Sequence, residues 1–281
     1  MVNPARTVAL RAGEKIAALG QGTWHFGEST GRWSDEVASI RLGIDLGMTV
    51  IDTAEMYGDG AAESLVGEAI AGRRDGVFLV DKVLPHHATR EGTVRACQAS
   101  LRRLGVDHID LYLLHWRGRI PLAETIEGFA ELTRDGMIRH WGVSNFDVDD
   151  MIELSGIRGG DGVQTDQILY NPTRRGPEYA LLPWLDLAGV PTMAYSPIEQ
   201  GRLLDHPALR SIALRHNATA AQIALAWVLD RDGVIAIPRA GTPSHVRENA
   251  SARDIELTRD DLAVLDRAFP PPTRPRPLEM L

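Results

Sequence analysis

VFLVDKVLPHHATREGTVRACQASLRRLGVDHIDLYLLH, residues 77–115, holds one complete unit of alternating structure. Its two ends, VFLVDK and IDLYLLH, are short and almost continuously apolar, as strands buried on both faces must be. Between them Val94, Cys97, Leu101 and Leu104 recur at the spacing of one helical face, and Gly105 follows as the residue suited to the left-handed turn that ends a helix. Strand, helix and strand in that order make a parallel crossover unit.

The same rhythm runs outward in both directions. Strand-like runs fall at 19–24, 49–54, 77–83, 109–115, 140–145, 163–167, 191–196 and 234–238, eight in all. Ala62, Leu65, Val66, Ala69 and Ile70 mark a second helical face. Ser34 is a candidate N-cap, Gly47 and Gly136 follow apolar-periodic segments, and Thr219 with Gln222 has the spacing of a capping box. Thr242 followed by Pro243 opens a further helix, with proline where a missing N–H costs nothing. Eight buried strands separated by helices imply a single-domain (β/α)8 TIM barrel over residues 1–281. An open dinucleotide-binding sheet would need a G-x-G-x-x-G turn. Here Gly20 and Gly22 run on into Thr23, Trp24 and His25, and Gly58 and Gly60 lead to Glu63. Residues 8–10 and 15–17 flank a turn containing Gly13 and read as an N-terminal β-hairpin closing the barrel floor. The proline-rich segment FPPPTRPRPLEML reads as a short extended C-terminal tail over the barrel, because it continues neither a helix nor a central strand.

Composition narrows the function classes. The 281 residues are 44% hydrophobic and 24% charged, ordinary for a globular chain. A net charge of −8 argues against a general nucleic-acid binder. Cys97 is the single cysteine, so no intrachain disulfide forms and a reducing, cytoplasmic setting is expected. No signal-peptide pattern opens the chain and no apolar run approaches membrane-spanning length, so no membrane role is expected.

Four polar side chains stand at or just beyond strand ends, where a barrel of this kind builds its site: Asp52, Tyr57, Lys82 and His115. Singly, each has an ordinary reading as a strand-end hydrogen-bonding group, a packing ring or a satisfied core histidine. Lys82 is the sharpest, since an ammonium directly after VFLVD is costly unless paired. Together they suit carbonyl chemistry. A nearby cation, Lys82, would stabilise the Tyr57 phenolate and make the phenol a better acid; Asp52 would hold Lys82, and His115 would orient a carbonyl oxygen. Side chains carry no hydride, so reduction would require a nicotinamide cofactor. A Schiff-base aldolase using Lys82 with Tyr57 as proton shuttle, and a nonenzymatic cofactor-sensing subunit of the same fold, are the rival readings. No metal site is expected: His25 stands alone, and His86 and His87 follow Pro85 in a turn.

The runs DTAEMYGDG, LVDKV, LLHW, GVSNF, QILYNP, AYSP and IPRAGTPSHVREN, in this order and over nearly the whole chain, resemble the aldo-keto reductase family. They are most similar to its bacterial branch acting on small aldehydes and 2-oxoaldehydes such as methylglyoxal. The resemblance implies an NADPH-binding barrel without a Rossmann domain, commonly monomeric, with Asp52, Tyr57, Lys82 and His115 as catalytic tetrad and Tyr57 as proton donor. It places Ser144, Asn145 and Gln167 on the nicotinamide carboxamide, Tyr195 against the nicotinamide ring, and Ser196, Gln200 and Leu203 over the pyrophosphate. By their own spacing Ser144 and Asn145 also serve as caps of the next helix, and Tyr195 as a packing aromatic. Arg239 falls where the family has a lysine for the 2′-phosphate, with Thr242 opening the adjoining helix and Glu248 and Asn249 at the adenine end. The family's next serine is Ala240 here, and its following arginine is His245, with Arg247 nearby. NADPH is the expected cofactor, with NADH also admitted by these two changes.

For the small-molecule carbonyl substrate, Trp24, His25, Phe26, Met56 and Trp116 would form a narrow aromatic mouth. Arg117 and Arg119 either attract an anionic substrate or face water.

Overall fold

The computed structural model describes residues 6–281. β1 (Thr7–Ala9) and β2 (Lys15–Ala17) pair antiparallel around a turn in which Gly13 takes φ +88°, a backbone region that L-residues avoid. This hairpin lies across the barrel floor. Arg139 and His140 at the start of one barrel strand both bind Glu14 of the hairpin, and the Ala12 amide donates to Gln164.

Eight parallel strands follow: β3 (Gln21–Gly22), β4 (Val50–Asp52), β5 (Phe78–Val83), β6 (Ile109–Leu114), β7 (Ile138–Ser144), β8 (Asp166–Leu169), β9 (Thr192–Tyr195) and β10 (Val234–Ala236). They neighbour one another in chain order. Leu19 pairs with Ala236, and the Gly20 and Gly22 amides donate to Ala236 and Pro238, which brings the first strand back to the last. The chain is therefore a (β/α)8 barrel, and its strand interiors read as continuous apolar runs because sheet and helices cover both faces.

The outer layer comprises α1 (Trp33–Asp45), α2 (Ala61–Ile70), α3 (Arg90–Leu104), α4 (Leu122–Arg134), α5 (Val148–Ser155), α6 (Leu181–Ala188), α7 (Pro207–His216), α8 (Ala220–Asp230), α9 (Pro243–Ser251) and α10 (Arg259–Ala268). Gly105 ends α3 with φ +65°, and Thr219 and Gln222 cap α8 reciprocally. Among the described residues, no helix is long and apolar enough to cross a membrane.

Three local expectations are corrected. Ser34 does not cap α1: the 3-10 turn Thr30–Arg32 runs directly into that helix, so Arg32 is already in the helical region and Ser34 lies inside the first turn. The strand expected at 163–167 is Asp166–Leu169, which puts Gln167 inside β8 rather than at its end. Lys82 likewise sits within β5.

The helices pack closely enough to require glycine at Gly67 in α2. A Cβ there would collide with the Leu104 carbonyl oxygen and stand 2.8 Å from the Leu104 carbonyl carbon. Gly67→Ala should therefore destabilise the fold by about 1–3 kcal/mol, because two backbones must part. A thermal melt should show a loss of roughly 5 °C; an unchanged melt would mean that the α2–α3 contact yields freely.

Candidate active site

The centre of the site is an ammonium with no exposure to water. Lys82 projects inward from β5, fully buried, and its Nζ lies 2.7 and 2.8 Å from the two oxygens of Asp52, the last residue of β4. Nζ also donates to the Thr53 carbonyl at 2.9 Å and to the Tyr57 hydroxyl at 3.2 Å. Register explains the meeting. Asp52 is aligned with Val80, so Lys82 stands two residues further along the neighbouring strand on the same inward face.

Tyr57 reaches Lys82 because the chain after β4 turns sharply. The 3-10 turn Tyr57–Gly60 contains Gly58 at φ 57° and Asp59 at φ 51°, and it is held by the Tyr57 amide donating to Ala54 at 3.0 Å. His115 follows β6 directly; its amide continues the ladder to Val83, and its ring meets Tyr57 edge-on at 5.8 Å. His115 is 7% exposed, with Nδ1 lacking any partner.

Electrostatics assign the protonation states. Burial opposes the Lys82 charge, yet Asp52 and Tyr57 together hold the ammonium above the ordinary lysine value. His115 is held well below the usual imidazole range by burial and by Lys82, so it is neutral near pH 7. Tyr57 departs from expectation. Its phenol is raised, not lowered: burial outweighs the attraction of Lys82, whose charge Asp52 partly cancels. The phenol is thus a proton-holding group rather than an activated phenolate.

The amide-bearing residues expected near the nicotinamide converge here too. Gln167 donates to Asp52 Oδ1 at 2.7 Å and to Met193 Sδ at 2.9 Å, while Ser144 Oγ donates to the Gln167 carbonyl. Asn145, in the left-handed region at φ 58°, donates to the His115 carbonyl and to Ser144 Oγ, and its Oδ1 accepts the Tyr195 hydroxyl at 2.9 Å. A chain of contacts thus runs from Tyr195 through Asn145 to His115, and from Gln167 to Asp52.

A single cavity of about 660 Å³ opens above these groups. Asp52, Tyr57, His115, Ser144, Asn145, Gln167 and Tyr195 line it together with Ser196, Gln200, Arg239 and His245. Trp24, His25, Met56 and Trp116 form the mouth. Two expected contributors face elsewhere. Phe26 is 1% exposed and packs beneath the Arg239 guanidinium at 5.1 Å, so it supports a cation instead of the mouth. Leu203 is buried in the core, and Leu204 takes the wall position.

Thr242, Glu248 and Asn249 do not line the cavity: Thr242 stands at the start of α9, and Glu248 and Asn249 lie in its second half. Thr242 caps α9 by accepting from the His245 amide, Glu248 accepts the Thr219 hydroxyl, and Asn249 is buried with Nδ2 unpartnered. That buried donor needs an acceptor, which favours a ligand at this end. Arg117 is tied to Glu153 and to the Ile120 carbonyl, and neither Arg117 nor Arg119 lines the cavity.

Other residues were not among the expected site residues. Met280 and Leu281 line the cavity from the tail, whose Glu279 binds Arg174 at 2.5 Å. Arg174 also binds Glu199, in the segment beside Gln200. Arg32 shares the Glu36 carboxylate with Arg239; its i,i+4 spacing to Glu36 was the only available hint.

Comparison with known proteins adds relatives across nearly the whole chain. The chain is 49% identical to the methylglyoxal reductase YeaE of Escherichia coli (strain K12) over 271 residues, 95% of each chain. It is 33% identical to the glyoxal reductase of Bacillus subtilis (strain 168), over 92% of this chain and 91% of that one. Among solved structures, an aldo/keto reductase from Klebsiella pneumoniae in complex with NADP and acetate superimposes with TM-score 0.97 at 48% identity, covering 99% of this chain and 100% of that one. Residues 18–269 match the Aldo/keto reductase family, and with the barrel and the relatives at this identity the chain belongs to that family.

Proposed function

We propose that the protein reduces small aldehydes and ketones, with 2-oxoaldehydes such as methylglyoxal as the favoured class, using NADPH and with Tyr57 as proton donor. One observation carries the reading: the Tyr57 hydroxyl stands 3.2 Å from a buried ammonium locked to Asp52, in a cavity that continues to Arg239. The similarity to a methylglyoxal reductase and a glyoxal reductase supports the substrate class.

The residues present fit the cofactor. Ser144, Asn145, Gln167 and Tyr195 would hold the nicotinamide end, Ser196 and Gln200 the middle, and Arg239 with the start of α9 the 2′-phosphate. Unpartnered Asn249 Nδ2 offers a donor at the adenine end. NADPH, once bound, supplies the hydride that no side chain can. A guanidinium such as Arg239 suits a phosphate because it presents paired N–H donors.

The chain's own residues do the rest. Neutral His115 donates a hydrogen bond to the substrate carbonyl oxygen, fixing its direction without adding a charge. Tyr57 gives its proton to that oxygen as negative charge builds there, and Lys82 stabilises the resulting phenolate through its existing hydrogen bond. Asp52 keeps Lys82 protonated and in place. Trp24, Trp116, Leu204 and Met280 keep the mouth narrow and apolar, which suits a small substrate.

Lys82 is a poor candidate for Schiff-base chemistry. Its nitrogen already makes contacts to Asp52, Thr53 and Tyr57 and is held in the protonated form, whereas attack on a carbonyl needs the free amine.

Activity is followed as loss of NADPH absorbance with a panel running from methylglyoxal to aromatic aldehydes and ketoses. Tyr57→Phe should lower kcat by about 10²- to 10⁴-fold while NADPH still binds; an unchanged rate would remove Tyr57 from the proton transfer. Because His115 is already neutral and Tyr57 is raised, kcat/KM should stay level from about pH 6 to about pH 9. It should fall only at pH above the ordinary tyrosine range, where the raised phenol finally loses the proton it must donate. A falling limb centred near pH 7 would contradict this assignment. Arg239→Ala should weaken NADPH at least about tenfold more than NADH; equal losses would detach Arg239 from the 2′-phosphate.

A further inference from the structure

Two guanidinium groups converge near the Arg239 end of the cavity from opposite ends of the chain. Arg32 closes the 3-10 turn that leads into α1, and Arg239 follows β10. Their Nη2 atoms lie 3.4 and 3.9 Å from the same oxygen, Glu36 Oε1. Glu36 is 1% exposed, and its other oxygen accepts the Gly27 amide at 2.9 Å. One buried carboxylate therefore faces two permanent cations.

Neither cation is saturated by that carboxylate. Both distances exceed the roughly 2.7–2.9 Å of a charge-assisted hydrogen bond, so each fork retains donors for a better acceptor. Glu28, the other acid acting on Arg239, is engaged by His25 at 2.8 Å. Burial and the neighbouring Arg32 both pull Arg239 below the ordinary arginine value. Both side chains also close on Gly241, where only the lack of a Cβ leaves them room: a Cβ built there would lie 2.9 Å from Arg32 Nη2 and 3.8 Å from Arg239 Nη2. The Phe26 ring under Arg239 and the Glu36 carboxylate beneath both side chains keep them from spreading apart.

We propose that Arg32 and Arg239 form a two-guanidinium clamp for a phosphomonoester, so that Arg32 is a second residue setting the preference for NADPH over NADH. The proposal rests on the reductase reading above, in which this phosphomonoester is the cofactor's 2′-phosphate. A phosphate near neutral pH carries close to two negative charges and several acceptor oxygens, which matches two forks better than one. Glu36 plays the opposing part. With no phosphate bound it tempers the repulsion between the arginines, and its burial keeps it from competing for the solvent side of the pair.

Affinities for NADPH and NADH, read from quenching of tryptophan fluorescence, test the clamp in the intact protein. Arg32→Ala should weaken NADPH about tenfold or more, about 1.4 kcal/mol, and leave NADH within about twofold. Adenosine 2′,5′-bisphosphate should lose affinity in parallel with NADPH, and adenosine 5′-monophosphate should not. Arg32→Lys, which keeps the charge but not the fork, should fall between wild type and Arg32→Ala. Thermal melts should show the Arg32 variants folded, since that side chain is 53% exposed, and a melt of the double variant checks the buried Glu36 site. The pair Arg32→Ala with Glu36→Gln separates contact from indirect effects. A loss that persists supports direct contact, whereas recovery of NADPH affinity would show that Arg32 only keeps Glu36 from holding Arg239, and would overturn the clamp. NADPH affinity unchanged by Arg32→Ala, or equal losses for both dinucleotides, would overturn the clamp and leave the reductase reading standing. Wild-type protein that binds neither dinucleotide would sink that reading, and the clamp with it.

Discussion

The ion pair between Lys82 and Asp52 is almost wholly buried, and much of the barrel is arranged to make that tolerable. An ammonium and a carboxylate removed from solvent each cost several kcal/mol, so the pair survives only with good geometry and with its remaining donors and acceptors filled. Lys82 fills its donors locally, through Thr53 and Tyr57. Asp52 is completed from across the barrel, by Gln167 on β8. The pair therefore depends on closure of the sheet, and removing either partner would strand a buried charge. The same enclosure accounts for the neutral His115 and the tightly held Tyr57 proton: one cation, one anion and a dry interior set the protonation of everything they touch.

Backbone strain gathers at the rim above this pair. His25, Asp59, Asn145, Ser196, Glu199 and Gln200 all adopt positive φ without being glycine. Such conformations cost free energy and persist only where surrounding contacts enforce them. Asn145 is enforced by His115, Ser144 and Tyr195, and Glu199 by Asn171, Arg174 and Arg202. A rigid barrel supplies the anchor points, and the loops that follow its strands take shapes that helices and sheets would not allow.

This division also explains what was legible in the sequence. Periodicity is imposed by burial, so β5, α3 and β6 could be read directly from 77–115, and the hairpin and capping box from their turn chemistry. Asp52, Tyr57, Lys82 and His115 were legible because polar groups at the ends of apolar runs are conspicuous. Loops carry no period, and there the reading failed by facing rather than by position: Phe26 turns under Arg239, and Leu204 replaces Leu203 on the wall. Arg32 showed only its i,i+4 spacing to Glu36, because Arg239 is far away in sequence and only closure of the barrel brings the two arginines together. The direction of the Tyr57 shift was missed for a different reason. The cation was foreseen, but the depth of burial that outweighs it is a property of the folded interior.

The tail bears on this rim through Arg174, which has Glu199 of the β9 loop on one side and Glu279 on the other. Met280 and Leu281 lean over the cavity directly beyond that joint. A bulky substrate that pushed these two side chains aside would have to work against the joint, and the strain would reach the loop flanking Gln200. A two- or three-carbon aldehyde would leave the joint at rest. Size selection here would accordingly be mechanical: the rim would act as a sprung gauge whose stiffness is set by an arginine outside the cavity lining.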